Sequence, residues 1–151
     1  MADPYVTNRG KMVILGCALA NVNTPSYWKL ALCTAGTTPT VDTNTLSQLT
    51  EIAVGNGYSS GGATVARDTS TGWDTLTEDD SNDLASIQLQ DVTWSASGGP
   101  IPASGDGARY AVLTDDSGNV ICWVDFVTAR VVSDGQDFEV KDFEIQAVAA
   151  S

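Results

Sequence analysis

The chain has 151 residues, of which 42% are hydrophobic and 17% charged, and it carries a net charge of −12 without any histidine. This composition is typical of one folded domain and excludes a disordered tail. No apolar run reaches the length of about 18 residues that a membrane-spanning helix needs, and no cleavable secretion signal is expected, so we expect synthesis in the cytoplasm.

The charge is divided unevenly along the chain. Residues 1–67 carry four of the seven basic residues but only three of the 19 acidic ones. The strongly acidic remainder repels phosphate backbones, which disfavours a nucleic-acid partner. The N-terminal part is therefore the region expected to meet an acidic partner.

Residue types also restrict the chemistry. Without histidine, Ser-His-Asp acyl transfer and the usual zinc sites are disfavoured, and acidic residues are too many to single out a glycosidase pair. We expect no enzyme activity, no catalytic or metal-binding residues and no cofactor. The three cysteines, Cys17, Cys33 and Cys122, are an odd number without tight spacing and so a poor disulfide framework. Cys33 and Cys122 lie in apolar runs and are predicted to be small buried side chains.

The N-terminus reads as an extended arm over residues 1–8, since Pro4 keeps Asp3 out of the helical region. Residues 9–22 are ambiguous between helix and strand. Thr7 or Asn8 could cap a helix. We favour a short buried helix with an apolar stripe at Leu15, Ala18 and Leu19.

Two stretches in the first half are strand candidates, and a glycine-rich run leads into the second of them. Residues 27–34 place Trp28, Leu30 and Leu32 on one face, residues 63–67 form a shorter candidate, and residues 46–54 could be a helical turn or a strand. The run "GNGYSSGGATVARD" at 55–68 resembles a phosphate-binding loop in its glycines. No lysine or helix follows, so it predicts a turn with positive φ angles and a packed Tyr58.

Residues 68–83 hold six acidic residues and no basic one, and they predict a long surface loop with Trp73 stranded in it. Within it, "EDDSND" at 78–83 matches a calcium loop only loosely, as does "DDSGN" at 115–119. A plain acidic loop is the alternative in both places. Trp73 is the tryptophan expected to touch a partner, whereas Trp28, Trp94 and Trp123 lie in strand patterns typical of a core.

The second half predicts several strands separated by turns. Residues 84–94 and 137–148 each alternate and then shift phase, which indicates a bulge or bend. Residues 95–107 are a loop. Residues 108–126 predict a hairpin around "DDSGN", and its second arm is apolar on both faces, as in the centre of a sheet.

These elements predict a single all-β domain over residues 9–151. Seven to eight short strands with at most one short helix favour an antiparallel β-sandwich, jelly-roll-like in character, because such strands must stack in two sheets to bury their faces.

The order of several motifs resembles a group of small β-sandwich structural proteins encoded by tailed bacteriophages. In that group a short N-terminal helix precedes a strand like "YWKLALCT", a Gly-x-Gly-Tyr turn enters the next strand, and a "VTW" strand precedes a hairpin like "ARYAVLTDDSGNVICWVDF". Tyr58 and Trp94 occupy the aromatic positions of the turn and of the later strand. Residues 68–83 and 98–107 are longer than the pattern needs, which leaves the assembly role open.

The resemblance implies a virion component, first of all a capsid decoration (cement) protein. It would bind the major capsid protein on the outer surface of the phage head and stabilise contacts between capsomers, as a homo-oligomer such as a trimer. A head, neck or tail-fibre accessory protein that binds carbohydrate or a receptor is the alternative. The residues expected at the interface are Tyr5, Val6, Arg9 and Lys11 in the basic N-terminal part, with Trp73 as a second contact.

Overall fold

The computed structural model describes residues 3–148, which form ten β-strands and one α-helix. The helix α1 (Asn8–Leu15) continues as a π-helical turn (Gly16–Ala20), and a 3₁₀ turn covers Leu46–Gln48. The strands are β1 (Tyr5–Val6), β2 (Trp28–Cys33), β3 (Ala63–Val65), β4 (Thr77–Asp79), β5 (Leu84–Gln88), β6 (Val92–Ser95), β7 (Ala108–Asp115), β8 (Val120–Arg130), β9 (Asp137–Val140) and β10 (Glu144–Val148).

The strands form three antiparallel sheets. The largest has the order β1-β8-β7-β2-β3, a second has β10-β5-β4, and β6 pairs with β9. The predicted antiparallel, mostly β architecture with one short helix is therefore confirmed. The predicted count of seven to eight strands is too low.

Two of the additional strands arise at the two phase shifts. Residues 84–94 divide into β5 and β6, and residues 137–148 divide into β9 and β10, and in both cases the two halves belong to different sheets. Asp142 lies between the latter two with a φ of 55°, a left-handed conformation that breaks the alternation. Each phase shift thus marks a change of sheet and not a bulge within one strand.

The β7–β8 hairpin is where the sequence predicted it. The carboxylate of Asp115 is buried and accepts hydrogen bonds from the backbone N–H groups of Ser117 and Asn119, both at 2.9 Å. This is the Asx-turn chemistry by which aspartate stabilises tight connections. The carboxylate of Asp115 thereby stabilises the turn, and this role accounts for an acidic residue here without a bound cation.

Both faces of the large sheet are buried. One face belongs to the main core, which includes side chains from all three sheets, among them Leu30, Leu113, Phe138 and Phe143. The other face carries a smaller cluster of six buried residues under the 3₁₀ turn: Cys33, Leu49, Tyr110, Val112, Val120 and Trp123. The apolar character of both arms of the hairpin follows from this double burial.

The glycine-rich turn has the conformation that the sequence predicted. Gly55, Gly57, Gly61 and Gly62 all have positive φ angles. Tyr58 is buried, and its hydroxyl donates to the Glu51 carboxylate at 2.7 Å while it accepts from the backbone N–H of Leu32 at 2.9 Å. Burial and the nearby carboxylate raise the pKa of this phenol, so it remains a neutral structural crosslink.

The cysteines provide a test of the core. Burial raises the pKa of the Cys33 thiol to about 12, and burial also raises the pKa of Cys122, whereas Cys17 is only half-buried in the π-helical turn. Because the thiolate is the reactive form, we expect Cys17 alone to react with iodoacetamide at pH 8 in the native protein. Peptide mapping by mass spectrometry checks this, with the urea-unfolded chain as the control in which all three react. Rapid native labelling of Cys122 would contradict the described core.

Candidate functional site

The N-terminal segment is anchored to the large sheet. Residues 1 and 2 of the predicted arm lie outside the described residues, but Tyr5 and Val6 pair with Trp123 and Cys122 of β8. Thr7 caps α1, since its hydroxyl accepts from the Gly10 N–H at 2.7 Å and donates to the Val120 carbonyl at 2.5 Å. Within the predicted arm, Tyr5 and Val6 form β1, and α1 begins at Asn8.

The helix packs closely on β8 but buries little. Only Gly10 and Val13 of α1 are buried, and a Cβ at Gly10 would lie 2.0 Å from the Ile121 carbonyl oxygen. The predicted helix is therefore correct, whereas its predicted burial is wrong. Its small, buried side faces the sheet, and the larger side chains are left outside.

These outer side chains form an exposed apolar area that we call the helix surface. Leu19 is 81% exposed, and the other members are at least 38% exposed. Apolar side chains on one short segment in such number are typical of an interaction surface and not of a scattered exposed residue. The helix surface consists of Met12, Ile14, Leu15, Leu19 and Val22.

An apolar groove of about 710 Å³ adjoins the helix surface. It lies where α1, the large sheet, the segment 67–76 and the β10-β5-β4 sheet meet, and Ile14 and Leu15 belong both to it and to the helix surface. The residues of β5 are all only half-buried, so the three-stranded sheet is not fully covered. The lining is mostly apolar, including Val6, Trp28, Trp73, Ile87, Ile121 and Ile145.

Three charged residues line this groove. Lys11 is exposed, and Arg67 donates to the Pro25 carbonyl at 2.6 Å with its guanidinium carbon 6.0 Å from the centre of the Trp28 ring. Asp68 accepts hydrogen bonds from the backbone N–H groups of residues 70–72, and these bonds hold the pKa of its carboxyl well below the usual range. Asp68 stays ionised, so the two cations against this one carboxylate give the lining a formal charge of +1 in a chain of net charge −12.

The structure corrects the expectation for Trp73. Its side chain is only 7% exposed and belongs to the main core, because the turn closed by Asp68 directs the chain inward. The backbone N–H of Trp73 donates to the backbone carbonyl of Asp68 at 2.9 Å, and Trp73 also forms an isolated β-bridge with Leu89. Its ring is therefore part of the floor of the groove and offers no exposed face on the loop.

The predicted site residues are thus only partly brought together. Val6, Lys11 and Trp73 all line the groove. Tyr5 lies elsewhere, 56% exposed and stacked on Trp123 with ring centres 5.2 Å apart. Arg9 is half-buried and donates to the Asn119 side chain at 2.9 Å in the hairpin loop.

The acidic stretch 68–83 is more ordered than the predicted surface loop. It contains β4, which pairs with β5, and Asp79 closes the turn between them by accepting from the N–H groups of Ser81 and Asn82. A hydrogen bond from the Asn82 side chain, together with these backbone bonds, lowers the pKa of Asp79. Over residues 3–148 no three Asp, Glu, Cys or His side chains cluster as metal ligands.

Sequence reasoning missed most of the groove. Ile87, Ile145 and Leu76 come from three separate segments, and only the pairing of β4, β5 and β10 joins them. One sequence feature could have indicated the exposed side of the helix. Gly10 and Val13 are three residues apart, which places a narrow contact face on one side of the helix and leaves Leu15 and Leu19 outside it.

Comparisons with protein-family models, with curated proteins and with solved structures find no match to this chain. None of the helices described here is long and apolar enough to cross a membrane.

Proposed function

We propose that this chain is a structural virion protein of a tailed bacteriophage, a β-sandwich of the jelly-roll-like kind that decorates the outer surface of the head. Bound to the major capsid protein, it would stabilise contacts between neighbouring capsomers as a homo-oligomer such as a trimer. The resemblance of the ordered motifs to phage β-sandwich proteins supports this, and one observation carries it further: the helix surface and the groove together expose a continuous apolar area.

The apolar area stands out on an otherwise acidic molecule. The helix surface and the groove expose apolar side chains beside Lys11 and Arg67, and the acidic β4–β5 hairpin borders the groove at Leu76, Ala85 and Ala147. A protein that adheres to a shell needs such an exposed apolar area, and the acidic residues at its border discourage non-specific association. Many copies on a shell convert a modest contact into strong retention.

The alternative, a carbohydrate- or receptor-binding accessory protein, loses the residue on which it depended. Stacking on a sugar ring needs an exposed aromatic face, and Trp73 is buried. Decoration needs no such face, so it is the function that the surface supports best.

The test is to measure the copy number of the chain in purified phage particles by quantitative mass spectrometry. Hundreds of copies support decoration, a handful indicates a neck or tail component, and absence refutes the whole class. We expect Leu19→Glu to lower the copy number about tenfold, because a charge replaces an exposed apolar contact.

The matched control is Val54→Glu, which adds the same charge at an exposed valine outside the helix surface and the groove. It is expected to leave the copy number unchanged. Equal loss in both variants would show that added negative charge, and not the helix surface, decides occupancy. Deletion of residues 1–8 is a poorer test, since it also removes β1 and the Thr7 cap.

A further inference from the structure

The groove and the helix surface form one continuous apolar area, because Ile14 and Leu15 belong to both. A cavity of about 710 Å³ is of the size that binds small molecules, but a small ligand inside it would leave Met12 and Leu19 uncovered. A polypeptide that fills the groove and continues over the helix covers both. The extent of the apolar area therefore favours a protein segment over a free amphiphile.

The charge of the groove specifies the segment further. Lys11 and Arg67 line it together with one carboxylate, that of Asp68, so the lining carries a formal charge of +1. The remainder of this chain of net charge −12 is strongly acidic, so the groove is where an incoming carboxylate meets an excess of positive charge. A segment that complements the groove in both polarity and charge is therefore apolar and carries at least one acidic residue.

We propose that the groove receives an apolar, acid-bearing segment of the capsid protein, with its apolar side chains against Trp73, Ile87 and Ile145 and its carboxylate beside Lys11 and Arg67. This rests on the proposed function, for which it names the contact site and the chemistry of the partner. Contacts between copies in the proposed homo-oligomer would then use another face of the chain.

The test uses purified heads from a phage mutant that lacks the gene, to which purified full-length chain is added back. Wild-type chain is expected to rebind, with an affinity that falls as salt rises from about 0.05 M to about 0.5 M. Lys11→Glu and, separately, Ala147→Trp at the edge of the groove are each expected to weaken rebinding about tenfold. Both positions are exposed, so the fold should survive, and circular dichroism verifies it.

Two controls match these variants. Lys141→Glu reverses the charge of another exposed lysine, outside the groove, and Ala147→Ser changes the same position without filling the space. Both are expected to rebind like wild type. Rebinding of Lys11→Glu and Ala147→Trp at wild-type affinity would overturn the groove as the contact site while the decoration function stands.

A different outcome would refute the proposed function itself. If wild-type chain does not rebind heads at all, the decoration proposal itself is refuted, and the groove assignment with it. A last experiment asks whether the groove binds a free amphiphile, by native mass spectrometry of the purified chain with added dodecanoate as the probe. If dodecanoate binds in a one-to-one ratio and the loaded chain still rebinds heads, the groove is an amphiphile site, and the proposed protein occupant is overturned.

Discussion

Replacing Gly62 with alanine is expected to lower the free energy of unfolding by about 2–5 kcal/mol. Its φ is 79°, and a Cβ there would lie 1.8 Å from the Leu30 carbonyl oxygen. The left-handed backbone contributes about 1–2 kcal/mol of that loss and overpacking about 1–3 kcal/mol. Because the obstructing atom belongs to the backbone of β2, the strand must shift to relieve the clash, and we expect the upper end of the range.

Gly135 provides the matched control for this prediction. Its φ is 82°, nearly the same, but no atom lies within 4 Å of the added Cβ. Gly135→Ala should therefore lose only the conformational part, about 1–2 kcal/mol. Urea unfolding followed by circular dichroism measures both. Equal losses in the two variants would show that β3 does not approach β2 at Gly62 as described.

Trp73→Ala is expected to lower the free energy of unfolding by about 3–5 kcal/mol, which is a large part of the stability of a domain of this size. The ring is 7% exposed and packs in the main core, so its removal leaves a cavity. Urea unfolding monitored by circular dichroism measures the loss.

The neighbouring Leu76 is the control, since it is 66% exposed in the same segment. Leu76→Ala should change stability by no more than about 0.5 kcal/mol. A Trp73→Ala variant as stable as wild type would contradict the burial of the ring and return Trp73 to the surface.

Local patterns predicted the parts of the fold that depend on local chemistry. Alternation identified β2 and the β7–β8 hairpin, and the glycines around Tyr58 identified a turn with positive φ angles. Trp94 and Trp123 are buried as predicted, while Trp28 is half-buried. In each of these cases neighbours in sequence determine the result.

The remainder depends on contacts between distant segments. Residues 68–83 are polar, so composition predicted a surface loop, yet hydrogen bonds to Asp68 turn Trp73 into the core. Leu15 and Leu19 were expected inside because apolar residues are usually buried. The close approach of Gly10 to Ile121 decides otherwise, and within the helix only the spacing of Gly10 and Val13 hints at it.

The pairing of the first strand with the eighth imposes an order on biosynthesis. The hydroxyl of Thr7 bonds a carbonyl 113 residues later in the chain. At the usual translation speed of about 5–20 residues per second, the N-terminal helix waits about 5–25 s before its docking strand exists. During that time its leucines and the bare edge of the future sheet are exposed together, and pairing over such distances is slow in any case. The newly synthesised chain is therefore most vulnerable to aggregation and proteolysis around this helix.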